Sequence, residues 1–225
     1  MSAVSSTDEF GPQHASLLLD EPRDGWARRS PSMMSAEMLV AERREPVIVT
    51  AQLTLEEVSA VLDAAGRMAS TYDLAYGSAH AALFLHRGGY FGRELPDVLR
   101  KLTEQMRSVA SAWPEERHSV DELTLRCIEF HTYQAGGALL DVDHRDTGSV
   151  VSMSVLLSDA AQLEGGRFVT WAADGVPVQH EVAQGDAVVF SSERVHNVST
   201  LKSGIRHSLV LELWRGPANE VDRDG

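Results

Sequence analysis

The sequence predicts a mainly β domain, a sandwich or jelly roll, with helices packed on its outer face. Three observations predict it. From about residue 122 the chain breaks into about eight short apolar runs separated by turn signals, the rhythm of an all-β fold. Two helical apolar stripes precede those runs. The 225 residues are 43% hydrophobic and 24% charged, enough apolar content for one buried core.

Residues 1–46 are rich in Ser, Pro, Arg and acids, with little periodicity. They read as a mobile N-terminal arm, in which Leu17 to Leu19 and Met33 with Met34 are short apolar patches that could dock onto the domain or a partner. The domain is expected at 47–216, with its core at about 122–214, and 217–225 as a flexible tail. Pro46 to Val49 opens it as a short strand. Thr54 with Glu57 three residues on is a capping box, and Leu55, Val58, Leu62, Ala65 and Met68 follow at helical spacing. Pro96 starts a second helix, whose stripe is Leu95, Val98, Leu99, Leu102, Met106, Val109 and Trp113. Between the helices, residues 72–92 hold Tyr72, Tyr76, Phe84, His86, Gly88, Gly89, Tyr90 and Phe91. A strand around Ala82 to Leu85 joining the sheet is the favoured reading. A substrate lid using Tyr90 is the other.

Strands follow at Leu123–Tyr133, at Val151–Leu157 with Ser152 and Ser154 on the alternate face, and at Arg167–Trp171 after a Gly165-Gly166 turn. Asp174-Gly175 is a hairpin signal before Val176–Val182. Ala187–Phe190 and Arg206–Trp214, with Leu209, Leu211 and Leu213 on one face, complete the set.

The net charge of −13 excludes a basic nucleic-acid surface and disfavours anionic membranes. The single cysteine, Cys127, makes no internal disulfide and sits in an apolar run, so it reads as a buried thiol. No stretch approaches the roughly 20 apolar residues of a membrane span. The first 30 residues lack the apolar core of a signal peptide. A cytoplasmic location is the expectation.

His144-Arg145-Asp146 is the one His-x-Asp in the chain, and His196 and Arg206-His207-Ser208 follow it. On an extended strand, residues i and i+2 share a face, so His144 and Asp146 can reach one metal, and His196 can close a two-histidine, one-carboxylate set. Such a set leaves coordination positions open and marks non-haem Fe(II) oxygenases. Arg206 and Ser208 likewise share a face and can hold a carboxylate. The competing reading of 141–148 is a surface turn. A calcium loop counted from Asp141 fails, because its sixth and twelfth positions hold Asp146 and Ser152 rather than Gly and Glu.

Residues from about 125 to 214 resemble the catalytic core of the Fe(II)/2-oxoglutarate-dependent dioxygenases, in their prolyl 4-hydroxylase-like group. The matching pieces are Tyr133 with Gly136, His144 to Asp146, Glu164 to Phe168, Gly185 to Phe190, His196 to Val198 and Gly204 to Ser208. The resemblance implies a double-stranded β-helix, a distorted jelly roll. It implies Fe(II) on His144, Asp146 and His196, and the distal carboxylate of 2-oxoglutarate on Arg206 in a bidentate grip. Ser208 would add a hydroxyl bond, and Tyr133 would contact the co-substrate or else serve as a core tyrosine. O2 is the oxidant, with ascorbate as an accessory reductant.

The implied reaction is hydroxylation with release of succinate and CO2, on a small molecule or a peptidyl side chain. Asp146 favours hydroxylation, since related halogenases carry a small residue there. Collagen-type prolyl hydroxylases of animals often use Lys at the position of Arg206, so the group name describes fold rather than substrate. Repair-type nucleic-acid demethylases carry a second arginine where this chain has Glu212. Two rivals stand beside this reading. One is a non-catalytic β-barrel protein that binds a metal or metabolite. The other is a cupin-type iron dioxygenase that needs no 2-oxoglutarate and hence no Arg206.

Overall fold

Strand β11 (Arg206–Trp214) lies near the middle of a six-stranded antiparallel sheet, and its alternating side chains divide the molecule. The computed structural model describes residues 36–69, 79–139, 141, 143–172 and 174–221. The sheet order is β1 (Val47–Val49), β8 (Ala187–Ser191), β4 (Val151–Leu156), β11, β3 (Thr124–Tyr133) and β2 (His80–Phe84). A three-stranded sheet runs β7 (Pro177–His180), β6 (Phe168–Trp171), β9 (His196–Val198), and β5 (Glu164–Gly165) pairs with β10 (Leu201–Ser203). The expected mainly β jelly roll with flanking helices is the observed architecture.

Leu209, Leu211 and Leu213 point to one face of the six-stranded sheet, with Val151, Met153, Val155 and Val189 from neighbouring strands. That face is covered by α2 (Leu55–Ala69) and α4 (Pro96–Ser111), through Val58, Val61, Ala65 and Met68 and through Val98, Leu102, Met106 and Val109. Both helix starts are built as expected. Glu57 accepts from the Thr54 amide at 2.8 Å while Thr54 Oγ1 accepts from the Glu57 amide at 3.2 Å. Pro96 occupies the first turn of α4.

The opposite, inner face of the six-stranded sheet turns toward the smaller sheets. Tyr133, Phe168, Val188, Phe190, Val198 and Leu201 fill the space between them. Two glycines permit the close approaches that this layering needs. A Cβ on Gly165 would lie 2.2 Å from the Thr200 carbonyl oxygen, and one on Gly185 would lie 2.3 Å from that of Leu53, both at positive φ.

The expected bounds of the domain meet further structure on both sides. The arm was expected to run to residue 46, but Ala36–Arg43 forms a helix, α1, held by its Glu42 and by Arg194. The tail was expected from 217, but Asn219 is buried and donates its amide to the Leu125 carbonyl, and the Glu220 carbonyl accepts from the Gly88 amide. Tyr90, the residue of the less favoured lid reading, is packed into the domain. It opens α3 (Tyr90–Glu94) and donates its hydroxyl to the Ala64 carbonyl of α2 at 2.8 Å. The favoured strand is present as β2, paired with β3. Tyr72, Tyr76, Leu17 to Leu19, Met33 and Met34 lie outside the described residues.

His180 ends β7 in a buried position, where its Nε2 shares a hydrogen bond with Thr170 Oγ1 of β6 at 2.8 Å. Burial, aided by the Arg194 charge, pushes its pKa down to about 4 from the ordinary 6.5. The unfolded chain therefore binds a proton that the native chain refuses between these two values. This contribution is complete above pH 6.5 and is lost as pH falls toward 4. Thermal midpoints should drop across that window, by about 2–4 °C per kcal/mol lost. The drop should be shallower in His180→Gln. Circular-dichroism melts at half-unit pH steps test this, and identical slopes for the two proteins would remove His180 as the cause.

Candidate metal centre

Two chain segments meet to build the site. Asp146 donates its amide to the Ser192 carbonyl at 2.9 Å, and the His196 amide donates to the His144 carbonyl at 3.1 Å. Residues 144–146 are not a ladder strand, as the sequence reading supposed. They form a loop held against 192–196, and those two hydrogen bonds supply the anchorage that a strand would have given. His196 starts β9, opposite Thr170 of β6.

The structure brings His144, Asp146 and His196 together, with one donor atom of each within 4.8 Å of the others. His144 Nε2 lies 3.2 Å and His196 Nε2 lies 3.6 Å from the same oxygen, Asp146 Oδ1. The two rings meet edge to face at 4.9 Å between centroids. His196 Nδ1 donates to the Arg194 carbonyl at 3.1 Å, which fixes the tautomer and leaves Nε2 as a bare donor toward a metal. Asp146 is 2% exposed, and its other oxygen, Oδ2, accepts from Ser152 Oγ at 2.6 Å. Burial alone would raise the Asp146 pKa. The adjoining His196 and His144, with the Ser152 hydroxyl, outweigh it and hold the carboxyl well below the usual range. Two imidazoles and one ionised carboxylate, converging from separate segments, suit a divalent transition metal.

The companion residues sit on the inner face in a row. Arg206 of β11, Tyr133 of β3 and His80 of β2 are register partners across three strands. Arg206 is 2% exposed, donates to Ser208 Oγ at 2.7 Å and packs its guanidinium over the Tyr133 ring at 5.4 Å. Among the described residues it forms no ion pair, and its Nε has no hydrogen-bond partner. Its pKa is lowered by burial and partly restored by Tyr133. Tyr133 is pushed up to about 12 by burial, against the pull of Arg206. A buried guanidinium without an anion carries a large desolvation cost, so this position is chemically fitted to a carboxylate brought from outside.

A cavity of about 190 Å3 joins the three candidate ligands to Tyr133 and Ser208. Tyr133, His144, Asp146, His196 and Ser208 line it, together with Phe84, Phe168 and Val210. Arg206 borders a separate narrow cleft beside Gly166, Phe168 and His180.

Sequence reasoning missed the residues that hold the loops. Ser152 was seen only as the polar phase of an alternating strand, and that phase was the available signal. Glu42 gave no signal, because its partners lie over a hundred residues away. One of its oxygens, Oε1, accepts from the Val195 amide at 3.1 Å and lies 3.3 Å from the Arg145 guanidinium. Arg145 separates two of the candidate ligands and Val195 precedes the third, so one carboxylate of α1 ties both loops. Arg194, fully buried, donates to the Glu42 and Arg44 carbonyls, both at 2.9 Å, and to that of Trp171. A second cluster, Cys127, Glu129 and Glu212, lies deeper on the inner face. There Glu212 already accepts from Ser149 Oγ at 2.6 Å and pairs with Arg126 at 3.3 Å. Cys127 is buried and unpaired as expected, its thiol pushed up by burial and by the two neighbouring acids.

No family model matches the chain. A PKHD-type hydroxylase of Acaryochloris marina is 30% identical over 117 residues, covering 50% of this chain and 52% of that protein. The chain thus spans about half the length of the curated relative it matches. A 2OG-Fe(II) oxygenase family oxidoreductase of Burkholderia pseudomallei superposes with a TM-score of 0.59 at 15% identity, over 85% of this chain and 96% of that one. A Pseudomonas putida prolyl-4-hydroxylase gives 0.52 at 21% identity, over 76% and 92%. A Trichoplax adhaerens prolyl hydroxylase, solved with a hypoxia inducible factor peptide, gives 0.57 at 14% identity, over 80% and 88%. The structural likenesses show the fold, the double-stranded β-helix of the 2OG-Fe(II) oxygenases. In sequence and in fold the chain resembles that superfamily and its prolyl 4-hydroxylase-like group.

Ser152→Ala should weaken binding of a divalent metal by about 10–100-fold, the usual cost of losing a hydrogen bond to a ligand. Glu42→Gln should act in the same direction by loosening both loops. Anaerobic calorimetry with Fe(II) measures both, and unchanged affinity in the two variants would show that the loops hold themselves.

Proposed function

We propose that this protein is a non-haem Fe(II)- and 2-oxoglutarate-dependent dioxygenase that hydroxylates a small molecule or a peptidyl side chain. The observation that carries the reading is the pairing, on one inner face, of a His-Asp-His donor set with a buried arginine that forms no ion pair among the described residues. His144, Asp146 and His196 would hold Fe(II). Arg206 and Ser208 would hold the distal carboxylate of 2-oxoglutarate, with Tyr133 beside them. When bound, iron, 2-oxoglutarate and O2 supply oxidative decarboxylation to succinate and CO2, with one oxygen atom passed to the substrate.

The chain's own residues supply geometry and dryness. Ser152 fixes the Asp146 carboxylate and leaves Oδ1 directed at both histidines. The Arg194 carbonyl keeps the His196 ring in its ligating tautomer. Ser208 bridges the anchor to the cavity, orienting the Arg206 fork from one side while Tyr133 flanks it on the other. Phe84, Phe168 and Val210 exclude water from the same space. His144 is the most exposed of the three candidate ligands, with 18% of its side chain accessible, and a substrate would reach the metal from its side.

The dioxygenase unit we propose is the expected 47–216, with α1 and residues 217–221 docked on it. No described helix is long and apolar enough to cross a membrane. A cytoplasmic setting agrees with the single unpaired cysteine.

Succinate formation by purified protein with Fe(II), 2-oxoglutarate and O2 tests the reading. Wild type should release succinate slowly even without a primary substrate, and His144→Ala should release about 100-fold less or none. Arg206→Lys should raise the KM for 2-oxoglutarate about tenfold or more by losing the bidentate grip, with Fe(II) affinity kept. Absence of both succinate and Fe(II)-dependent 2-oxoglutarate binding in wild type would overturn the proposal in favour of a non-catalytic binding protein.

A further inference from the structure

Strand β2 forms one edge of the six-stranded sheet and, among the described residues, pairs with β3 alone. Its hydrogen-bonding phase follows from the bonds at its two ends. The Gln134 amide donates to the Ala79 carbonyl at 2.8 Å, and the Leu85 amide donates to the Ile128 carbonyl at 2.8 Å. In an antiparallel pair, residues bonded across the ladder alternate with residues that are not. Ala79, Ala81, Leu83 and Leu85 therefore turn their backbone groups toward β3. His80, Ala82 and Phe84 turn theirs to the outer edge. The side chains of these same three residues line the 190 Å3 cavity, so the sheet edge and the candidate site share them.

Sheet edges are normally blunted by short length, proline, charge or a bulge. Among the described residues the other edge strands follow that rule. β1, β9 and β10 are three residues long, β5 is two, and β7 begins at Pro177. β2 is five residues long, carries no proline, lysine, arginine or carboxylate, and keeps an unbroken register with β3. The one edge left without a protecting device is the edge that borders the cavity. Resting on the dioxygenase reading, we infer that β2 is the docking edge for the primary substrate, an extended peptide segment that adds to the sheet as a seventh strand and turns alternate side chains into the cavity.

An added strand shares the pleat of the strand it joins, so its residue opposite Ala82 points to the same face as Ala82. Ala82 is the smallest of the three β2 side chains on the cavity wall, and it stands between His80 and Phe84. The gap it leaves admits the incoming side chain. Both sides of that gap are held. The His80 ring stacks on Tyr133 at 4.1 Å and 6°, and the Phe84 ring meets His86 edge to face at 5.9 Å. A peptide is the occupant because its backbone repeats donor and acceptor at about 6.5 Å, the spacing at which His80, Ala82 and Phe84 present theirs. Backbone pairing then supplies affinity with little regard to sequence, and the cavity selects the side chain.

Amide NMR of the whole metal-free protein tests this. The His80, Ala82 and Phe84 amides should exchange with solvent at least about tenfold faster than the Ala81 and Leu83 amides, which are paired to β3. The probe is acetyl-Lys-Thr-Val-Thr-Val-Thr-Lys-amide, its lysines chosen for a chain of net charge −13. It should shift the three edge amides and slow their exchange. The same peptide methylated at every backbone nitrogen should do neither. Ala82→Pro removes an edge donor and keeps the bonds to β3, since proline is tolerated on edge strands. It should raise the half-saturation of the probe about tenfold, the cost of one or two hydrogen bonds, with Zn(II) affinity kept. If that variant does not fold, the methylated peptide decides the question in wild type. Equal exchange of the two amide sets, no shift with the probe, equal shifts with the methylated peptide, or unchanged half-saturation in folded Ala82→Pro would each overturn the inference. So would protection that grows with protein concentration in the absence of peptide, which would make a second copy of the chain the occupant. These readings need neither iron nor turnover, so their failure is distinct from failure to release succinate, which would sink the dioxygenase reading instead.

Discussion

Two opposite charges are buried on one inner face without neutralising each other, and the rest of the molecule is arranged around that constraint. Asp146 and Arg206 are each 2% exposed, and no ion pair links them. Either alone would cost several kcal/mol to bury. Asp146 is held by Ser152, His144 and His196, and Arg206 by Ser208 and the face of Tyr133. The stabilisation that offsets this strain comes from the other side of the same strands. Leu209, Leu211, Leu213, Met153 and Val155 are wholly buried under α2 and α4. At roughly 1.5–3 kcal/mol per buried apolar side chain, that layer carries the face that carries the chemistry.

Local devices were readable from sequence because their partners are near in the chain. The Thr54 and Glu57 box and Pro96 at the start of α4 are examples. The alternation in β4 and β11 also showed which residues go to the helices. The convergence of His144, Asp146 and His196 was readable from order and resemblance, yet the local geometry was not. A loop latched by two backbone hydrogen bonds leaves no periodic trace. The same holds for Glu42, whose partners Arg145 and Val195 are distant in sequence. Polar residues in a stretch of little periodicity read as solvated, and only tertiary structure reveals that one of them is a buried tie.

The docking of α1 changes how the N-terminal region is understood. Arg194 takes up carbonyls at its C-terminal end while Glu42 reaches the backbone beside the candidate ligands. These are charge-assisted bonds in a buried setting, where they are stronger than at a surface. A segment that by composition belongs to the arm is thereby a structural part of the candidate metal centre.

Strand β11 acts as a ruler. Side chains on one of its faces recur at about 6.5 Å, and the inner series Arg206, Ser208, Val210 and Glu212 descends from the buried guanidinium to the buried acids in equal steps. A substitution on any step changes the chemistry at one depth and leaves the other depths alone. An inserted or deleted residue would instead exchange the polar series with Leu209, Leu211 and Leu213, turning leucines into the cavity and an arginine under the helices. Descent within this architecture is therefore expected to explore new substrates by point replacement along the strand, with length changes confined to the loops at its two ends.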